Sequence, residues 1–202
     1  DLEKYDYNEA VRREIRKKLN LEGKYVVGHA GRFSDQKITA FCWTSFKQYT
    51  KKIQILCYFL FGVGELQEAM KNKARTLGIE DAVIFYGASN EMNKMWQAMD
   101  VFVFPSLYEG LPVTMIEAQA SGMQCIISDR VSKECIVTKG LVITKRLSDS
   151  VENWANYILQ KSEKTHENHI REIANAGYDI SVAAKQLECF YIKKTGEEKW
   201  YF

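Results

Sequence analysis

Asp100-Val101-Phe102-Val103-Phe104-Pro105-Ser106-Leu107-Tyr108-Glu109-Gly110-Leu111-Pro112-Val113-Thr114-Met115-Ile116-Glu117 is the stretch whose reading decides the fold. Val101 to Phe104 is apolar, β-branched and aromatic, which predicts a buried strand. Gly110 breaks that strand. Pro112 suits the first turn of a helix, where a missing N–H costs nothing. The pattern predicts a helix from Val113 to Ser121, stopped by Gly122. Glu109 then stands at the mouth of the loop and Glu117 on the first turns of the helix. A helix N-terminus at the carboxyl end of a buried strand is an anion site.

Outward from this stretch, short apolar runs alternate with helical ones. Strands are predicted at Tyr25 to Ala30, Ile53 to Phe61, Ala82 to Gly87, Gln124 to Asp129 and Leu141 to Thr144. Helices are predicted at 9–20, 37–51, 65–77 and 90–99. The tail, with stretches 150–162, 166–176 and 181–193, reads as helix without strands between. This alternation predicts an α/β fold, a Rossmann-like parallel sheet flanked by helices, with a C-terminal helical segment. Such sheets bind ligands at the carboxyl ends of their strands. The loops to inspect are therefore Gly31–Lys37, Gly62–Glu65, Gly87–Asn90 and Ser106–Val113.

Bulk properties narrow the function classes. A net charge of +2 gives no reason to expect a nucleic-acid partner. The longest apolar run, Ile55 to Val63, is strand length and far short of the ~18 residues of a membrane span. The chain starts Asp1-Leu2-Glu3-Lys4, neither a signal peptide nor an initiating methionine, so a fragment of a longer protein is expected. The five cysteines have no Cys-x-x-Cys spacing and mostly sit in apolar runs, which predicts buried, reduced thiols in a cytoplasmic protein.

Three features converge on the loops. Gly31-Arg32 follows the first strand, with Lys37 five residues on; a forked guanidinium and a mobile ammonium suit a diphosphate. Gly62 and Gly64 follow the second strand and are expected to let backbone approach a ligand closely. The helix after Pro112 aims the N–H groups of Val113 and Thr114 at the same cleft. From Pro112 to Glu117 a helix rises about 7.5 Å, so Glu109 and Glu117 suit opposite ends of a diphosphate-bearing ligand better than a shared proton. Carboxylates repel phosphate, so they are expected to accept hydrogen bonds from sugar or ribose hydroxyls.

Gly31-Arg32-Phe33-Ser34-Asp35-Gln36-Lys37, the Gly62-x-Gly64-Glu65 turn, Val83-Ile84-Phe85-Tyr86-Gly87, and Pro105 through Glu117-Ala118 resemble retaining glycosyltransferase family 4. The order and spacing are similar to its C-terminal, nucleotide-sugar-binding domain from about residue 9 to residue 192, and closest to bacterial capsular and exopolysaccharide transferases. The resemblance implies one half of a GT-B architecture, with residues 1–202 as donor domain and an N-terminal acceptor domain absent. It implies that Arg32 and Lys37 hold the donor diphosphate and stabilise the leaving nucleotide. Glu109 would then contact the sugar hydroxyls and Glu117 the ribose, with Gly87 and Ala88 bordering the base and Gly110, Leu111, Val113 and Thr114 completing the cradle. The catalytic set expected is Glu109, Arg32 and Lys37. No metal and no cofactor are expected, cations and a helix dipole serving instead. UDP-sugar is the favoured donor. The acceptor, a sugar or lipid-linked saccharide, would be held by the missing domain, and peripheral contact of the full-length protein with the inner membrane face is left open. The isolated chain is expected to bind nucleotide without appreciable transfer.

The sequence departs from the family pattern at Val63, where Asp is usual, at Pro112, where Gly is common, and at Lys139-Gly140-Leu141, where a second Gly-rich stretch is poorly kept. Two alternatives stay open: a nucleotide-sugar epimerase of the same architecture, and a non-catalytic nucleotide-binding module. Receiver modules of the latter kind want an acidic cluster after the first strand, and here that loop is basic. Bland readings also stand beside the sharp ones. His29 is as well explained by partial burial as by lining the cleft. Core packing is the default for Phe33 and Tyr108. His166 and His169 read as a solvated helix face more readily than as a metal pair.

Overall fold

A computed structural model describes residues 1–34, 56–160, 166 and 168–195. Six strands form one wholly parallel sheet: β1 Tyr25–Ala30, β2 Leu56–Phe61, β3 Val83–Gly87, β4 Val101–Phe104, β5 Cys125–Ser128 and β6 Val142–Lys145, in the order β3-β2-β1-β4-β5-β6. β2, β4 and β5 are buried at every position, as continuous apolar runs covered on both faces require. The edge strands β3 and β6 are only partly buried. The order reverses direction between β1 and β4, so a crevice opens at their carboxyl ends.

Side-chain alternation along the strands divides the core in two. Phe102 and Phe104 of β4 pack on one face with Met95 and Trp96 of α3 (Met92–Ala98), Met115 of α4 (Val113–Ala120) and Ile15 of α1 (Glu9–Lys18). Val101 and Val103 point to the other face, against Phe33, Met70 of α2 (Gln67–Leu77) and Trp154 of α5 (Val151–Gln160). Every strand and helix expected from the sequence within the described residues is present, with ends shifted by at most four residues; the expected ends at Ile53 and 162 lie outside the described residues. The helix predicted at 37–51 lies outside the described residues, apart from which the α/β expectation holds.

Two differences have physical causes. Pro112 is the N-cap of α4 rather than a residue of its first turn, because its ψ of 107° keeps it extended. The middle tail helix is short: α6 (Ile170–Ile173) runs into a π-helical turn, Ala174–Tyr178, and Gly177 at φ 88° ends it before α7 (Ile180–Thr195). No described helix is long and apolar enough to cross a membrane.

Below the sheet, Asp100 joins four elements. Its carboxylate accepts from Arg12 Nη2 at 2.5 Å, Arg16 Nη1 at 3.2 Å and the Val26 backbone N–H at 2.6 Å. The two guanidinium groups also donate to the carbonyls of Gln97, Ala98, Met99, Leu21 and Lys24. The charges are largely removed from water, but each finds several partners, the condition under which such a cluster is tolerated. His166 lies beside it, stacked on Tyr7 at 4.3 Å, with Nδ1 at 2.9 Å from Ser121 O and Nε2 at 3.3 Å from Met99 O. Burial pushes the His166 imidazole below its ordinary value and outweighs the two carbonyls and Asp100, while Arg12 adds to the lowering.

Asp100→Ala would leave two guanidinium groups without their anion and is expected to cost about 3 kcal/mol in urea unfolding. For His166 the folded state binds fewer protons than the unfolded state, so its contribution is complete above the unfolded value and is lost as pH falls through the lowered folded one. Between pH 7 and pH 5 the wild-type chain should therefore lose more stability than His166→Gln, as measured by denaturant midpoints at each pH.

Candidate functional site

The carboxyl ends of β1, β2 and β3 are stitched to each other through backbone. Gly31 N donates to Phe61 O at 3.0 Å, Phe33 N to Val63 O at 3.2 Å, Leu66 N to Phe33 O at 3.2 Å, and Gly62 N to Gly87 O at 2.9 Å. The glycines after β2 serve this stitching. A Cβ on Gly62 would stand 2.0 Å from Gly31 O, and one on Gly64 would stand 2.3 Å from Phe33 O. The close approach expected of them toward a ligand is, in the fold, an approach to the neighbouring loop. Gly87 is needed for its backbone, at φ 85°, and Ala88, just after the edge strand β3, is exposed.

Within the Gly31–Ser34 turn, Phe33 is wholly buried, edge-on to Phe85 at 6.2 Å. It is a core anchor, and it leaves the preceding residue, Arg32, exposed. Anchor and exposed guanidinium alternate, so the packing of Phe33 fixes where Arg32 emerges. Lys37 lies outside the described residues. His29, just below on β1, is buried with Nδ1 at 3.0 Å from Val103 O, stacked between the levels of Phe102 and Phe104.

Across the switch point, β4 ends in Pro105-Ser106. Buried Ser106 donates through Oγ to Glu109 Oε1 at 2.6 Å and, more weakly, to Tyr108 O at 3.2 Å. Ser128 Oγ donates to Ser106 O at 2.5 Å, and Glu109 bridges to Val131 in parallel fashion. The loop is thus fixed at both ends and holds the Glu109 carboxylate half-exposed. Ser106 was not singled out in the sequence; its only signal is a hydroxyl at the strand end, three residues before the carboxylate. Gly110, Leu111 and Val113 are exposed around it, whereas Tyr108 is solvent-facing at 65% and not core. Pro112 offers no side-chain cap to α4, whose first turn, with the N–H groups of Val113 and Thr114, follows the carboxyl end of β4.

Glu117 is a half-buried carboxylate with two protein donors. Tyr5 Oη donates to Oε1 at 2.8 Å, and Trp96 Nε1 to Oε2 at 3.4 Å. Both partners lie on other elements, Tyr5 112 residues and Trp96 21 residues away in the chain, so no local pattern announces them. Two residues further along α4, buried Gln119 is satisfied at both ends: Nε2 donates to Met115 O and Cys135 O, and Oε1 accepts from Val137 N, Thr138 N and Thr138 Oγ1. It ties α4 to the loop before β6, the stretch that departs from the family's Gly-rich pattern at Lys139-Gly140-Leu141. His166 and His169 do not pair: His169 Nδ1 meets Glu172 Oε1 at 2.8 Å, and His166 faces backbone carbonyls. The buried thiols are raised, Cys57 and Cys135 to about 11, by burial. Cys189 is exposed, and Cys42 lies outside the described residues.

The segments that follow β1 and β4 thus carry an exposed guanidinium, a helix N-terminus and the Glu109 and Glu117 carboxylates, a set suited to an anion flanked by hydroxyl groups. The family model of glycosyl transferases group 1 matches residues 11–176, and the chain belongs to that family of transferase enzymes. EpsF of Bacillus subtilis (strain 168), a protein named as a glycosyltransferase, is 35% identical over 162 residues, 77% of this chain and 41% of its own. The Vi polysaccharide biosynthesis protein VipC/TviE of Salmonella typhi is 34% identical over 113 residues, 55% of this chain and 19% of its own. In structure, the chain is similar to Anabaena Alr3699/HepE, solved with UDP and with UDP-glucose, at a TM-score of 0.77 and 20% identity over 95% of this chain and 55% of that one. The chain spans about half or less of the length of these relatives.

Gly64→Ala is expected to cost about 1–3 kcal/mol by overpacking against Phe33 O. Gly110→Ala, with nothing within 4 Å of the new Cβ, should stay within about 0.5 kcal/mol of wild type. Urea midpoints of the two variants side by side check the pair.

Proposed function

We propose that this chain is the donor-binding half of a two-domain retaining glycosyltransferase that moves a sugar from a UDP-sugar to a hydroxyl acceptor in bacterial polysaccharide biosynthesis. The observation that carries the reading is the pairing of β1 with β4, the strands followed by the Arg32 turn and by the Glu109 loop and the start of α4. Arg32, with Lys37, would pair with the diphosphate, and the α4 N-terminus would add its positive end. Glu109, oriented by Ser106, would accept from the sugar hydroxyls, and Glu117 from the ribose. As the bond from the anomeric carbon to the phosphate oxygen breaks, negative charge grows on the leaving nucleotide, and these fixed cations and dipoles stabilise it without reorganising. The acceptor oxygen would bond to the same face of the anomeric carbon through an oxocarbenium-like transition state, its proton passing to the departing phosphate. No covalent nucleophile is assigned.

UDP is favoured as donor nucleotide because HepE, of similar fold, is solved with UDP and UDP-glucose. Polysaccharide synthesis is favoured by the name of the Salmonella relative. The acceptor would be a sugar or lipid-linked saccharide bound by a second domain. Calorimetric titration with UDP, GDP and ADP tests the donor site: UDP should bind tightest, and Arg32→Ala with Lys37→Ala should weaken it at least about tenfold. No measurable affinity for any of the three would overturn the reading. Measurable transfer by the 202-residue chain alone would overturn its assignment as half of an enzyme.

A further inference from the structure

We infer that Tyr5 is a positioning residue for the donor site: its phenol, with the Trp96 indole, sets the Glu117 carboxylate so that both its oxygens meet the neighbouring 2′- and 3′-hydroxyls of a ribonucleotide. The inference rests on the proposed role of Glu117 at the ribose and adds what orients it. Tyr5 lies in the 3-10 turn Leu2–Tyr5, before α1 and far from any glycosyltransferase-like motif in the chain. That segment is firmly seated. Leu2 is buried in the core, Asn93 Nδ2 donates to Lys4 O at 3.3 Å, and buried Gln97 donates to Asp6 O at 3.2 Å while accepting from Asn8 N at 3.1 Å. The phenol therefore reaches Glu117 from a fixed base.

The chemistry of the two partners is one-directional. An indole N–H only donates. Tyr5 is pushed up to about 12, first by burial and then by its hydrogen bond to Glu117 and the nearby charge, so at neutral pH it keeps its proton and also donates. One donor engages Oε1 and the other Oε2, which fixes the plane of the carboxylate. A carboxylate has about four acceptor directions, so each oxygen retains one for a ligand hydroxyl. Trp96 is itself immobile, wholly buried and edge-on to Phe102 at 4.9 Å. Two fixed oxygens match a vicinal diol and leave one oxygen under-used when the 2′-hydroxyl is missing. A site built to accept a hydroxyl discriminates strongly against the analogue that lacks it.

The test is calorimetric titration of the chain with UDP and with 2′-deoxy-UDP, in wild type, Glu117→Gln and Tyr5→Phe. Tyr5→Phe keeps the ring and removes only the donor. Wild type should prefer UDP, Glu117→Gln should abolish the preference, and Tyr5→Phe should narrow it roughly five- to tenfold, weakening 2′-deoxy-UDP, which keeps only the 3′-hydroxyl, less than UDP. A wild type that binds UDP without preferring it overturns the ribose role of Glu117 and the inference with it, as does one that binds no UDP. A preference lost in Glu117→Gln but intact in Tyr5→Phe overturns the role of Tyr5 alone. Equal weakening of both nucleotides by Tyr5→Phe would show a merely structural brace and overturn it likewise.

Discussion

Asp100 is the joint on which the arrangement of this chain turns. It opens β4, accepts the Val26 N–H of β1, and holds Arg12 and Arg16 of α1, which in turn take up carbonyls at the end of α3. Those two strands are the pair between which the sheet changes direction. One anion beneath the sheet therefore holds together the strands whose opposite ends form the crevice. A buried ion cluster adds little net stability over apolar packing, but it does demand its partners in place. Here that demand fixes α1, and with α1 the segment before it, which carries Tyr5 to Glu117.

At the other end of the sheet the constraint is backbone crowding. The turns after β1 and β2 lie too close for a Cβ at Gly62 or Gly64, and the hydrogen bonds between them leave few ways to move. Phe33 plugs the core under the first turn, so Arg32 emerges in one place. The Glu109 loop is fixed comparably by Ser106 and Ser128. Arg32 and Glu109 are thus each oriented by neighbouring residues, the usual condition for holding charges ready without reorganisation.

Much of this was legible in the chain. Continuous apolar runs such as Val101–Phe104 and Cys125–Ser128 can only be doubly covered strands, and the spacing of Gly110, Pro112 and Gly122 frames a helix. The family followed from motif order, and the matching family model agrees. Ser106, Gln119 and Trp96 were not legible as site-shaping residues. Hydroxyl, amide and indole groups become meaningful only when their partners are known, and those partners lie on other elements. The glycine pair shows a different limit. Its small size was evident, but the object it makes room for is another turn of the same protein.

By itself the sequence determined the strands and helices, their alternation, and the set of cationic, glycine and carboxylate residues at the strand ends. These follow from local periodicity and turn chemistry, which act within a few residues. Only the tertiary structure decided that β1 and β4 are neighbours, so that loops some 70 residues apart share one crevice, and that a phenol 112 residues from Glu117 donates to it. Strand order and such long-range hydrogen bonds arise from packing two helical layers onto one twisted sheet, a global requirement that leaves no local periodicity to read.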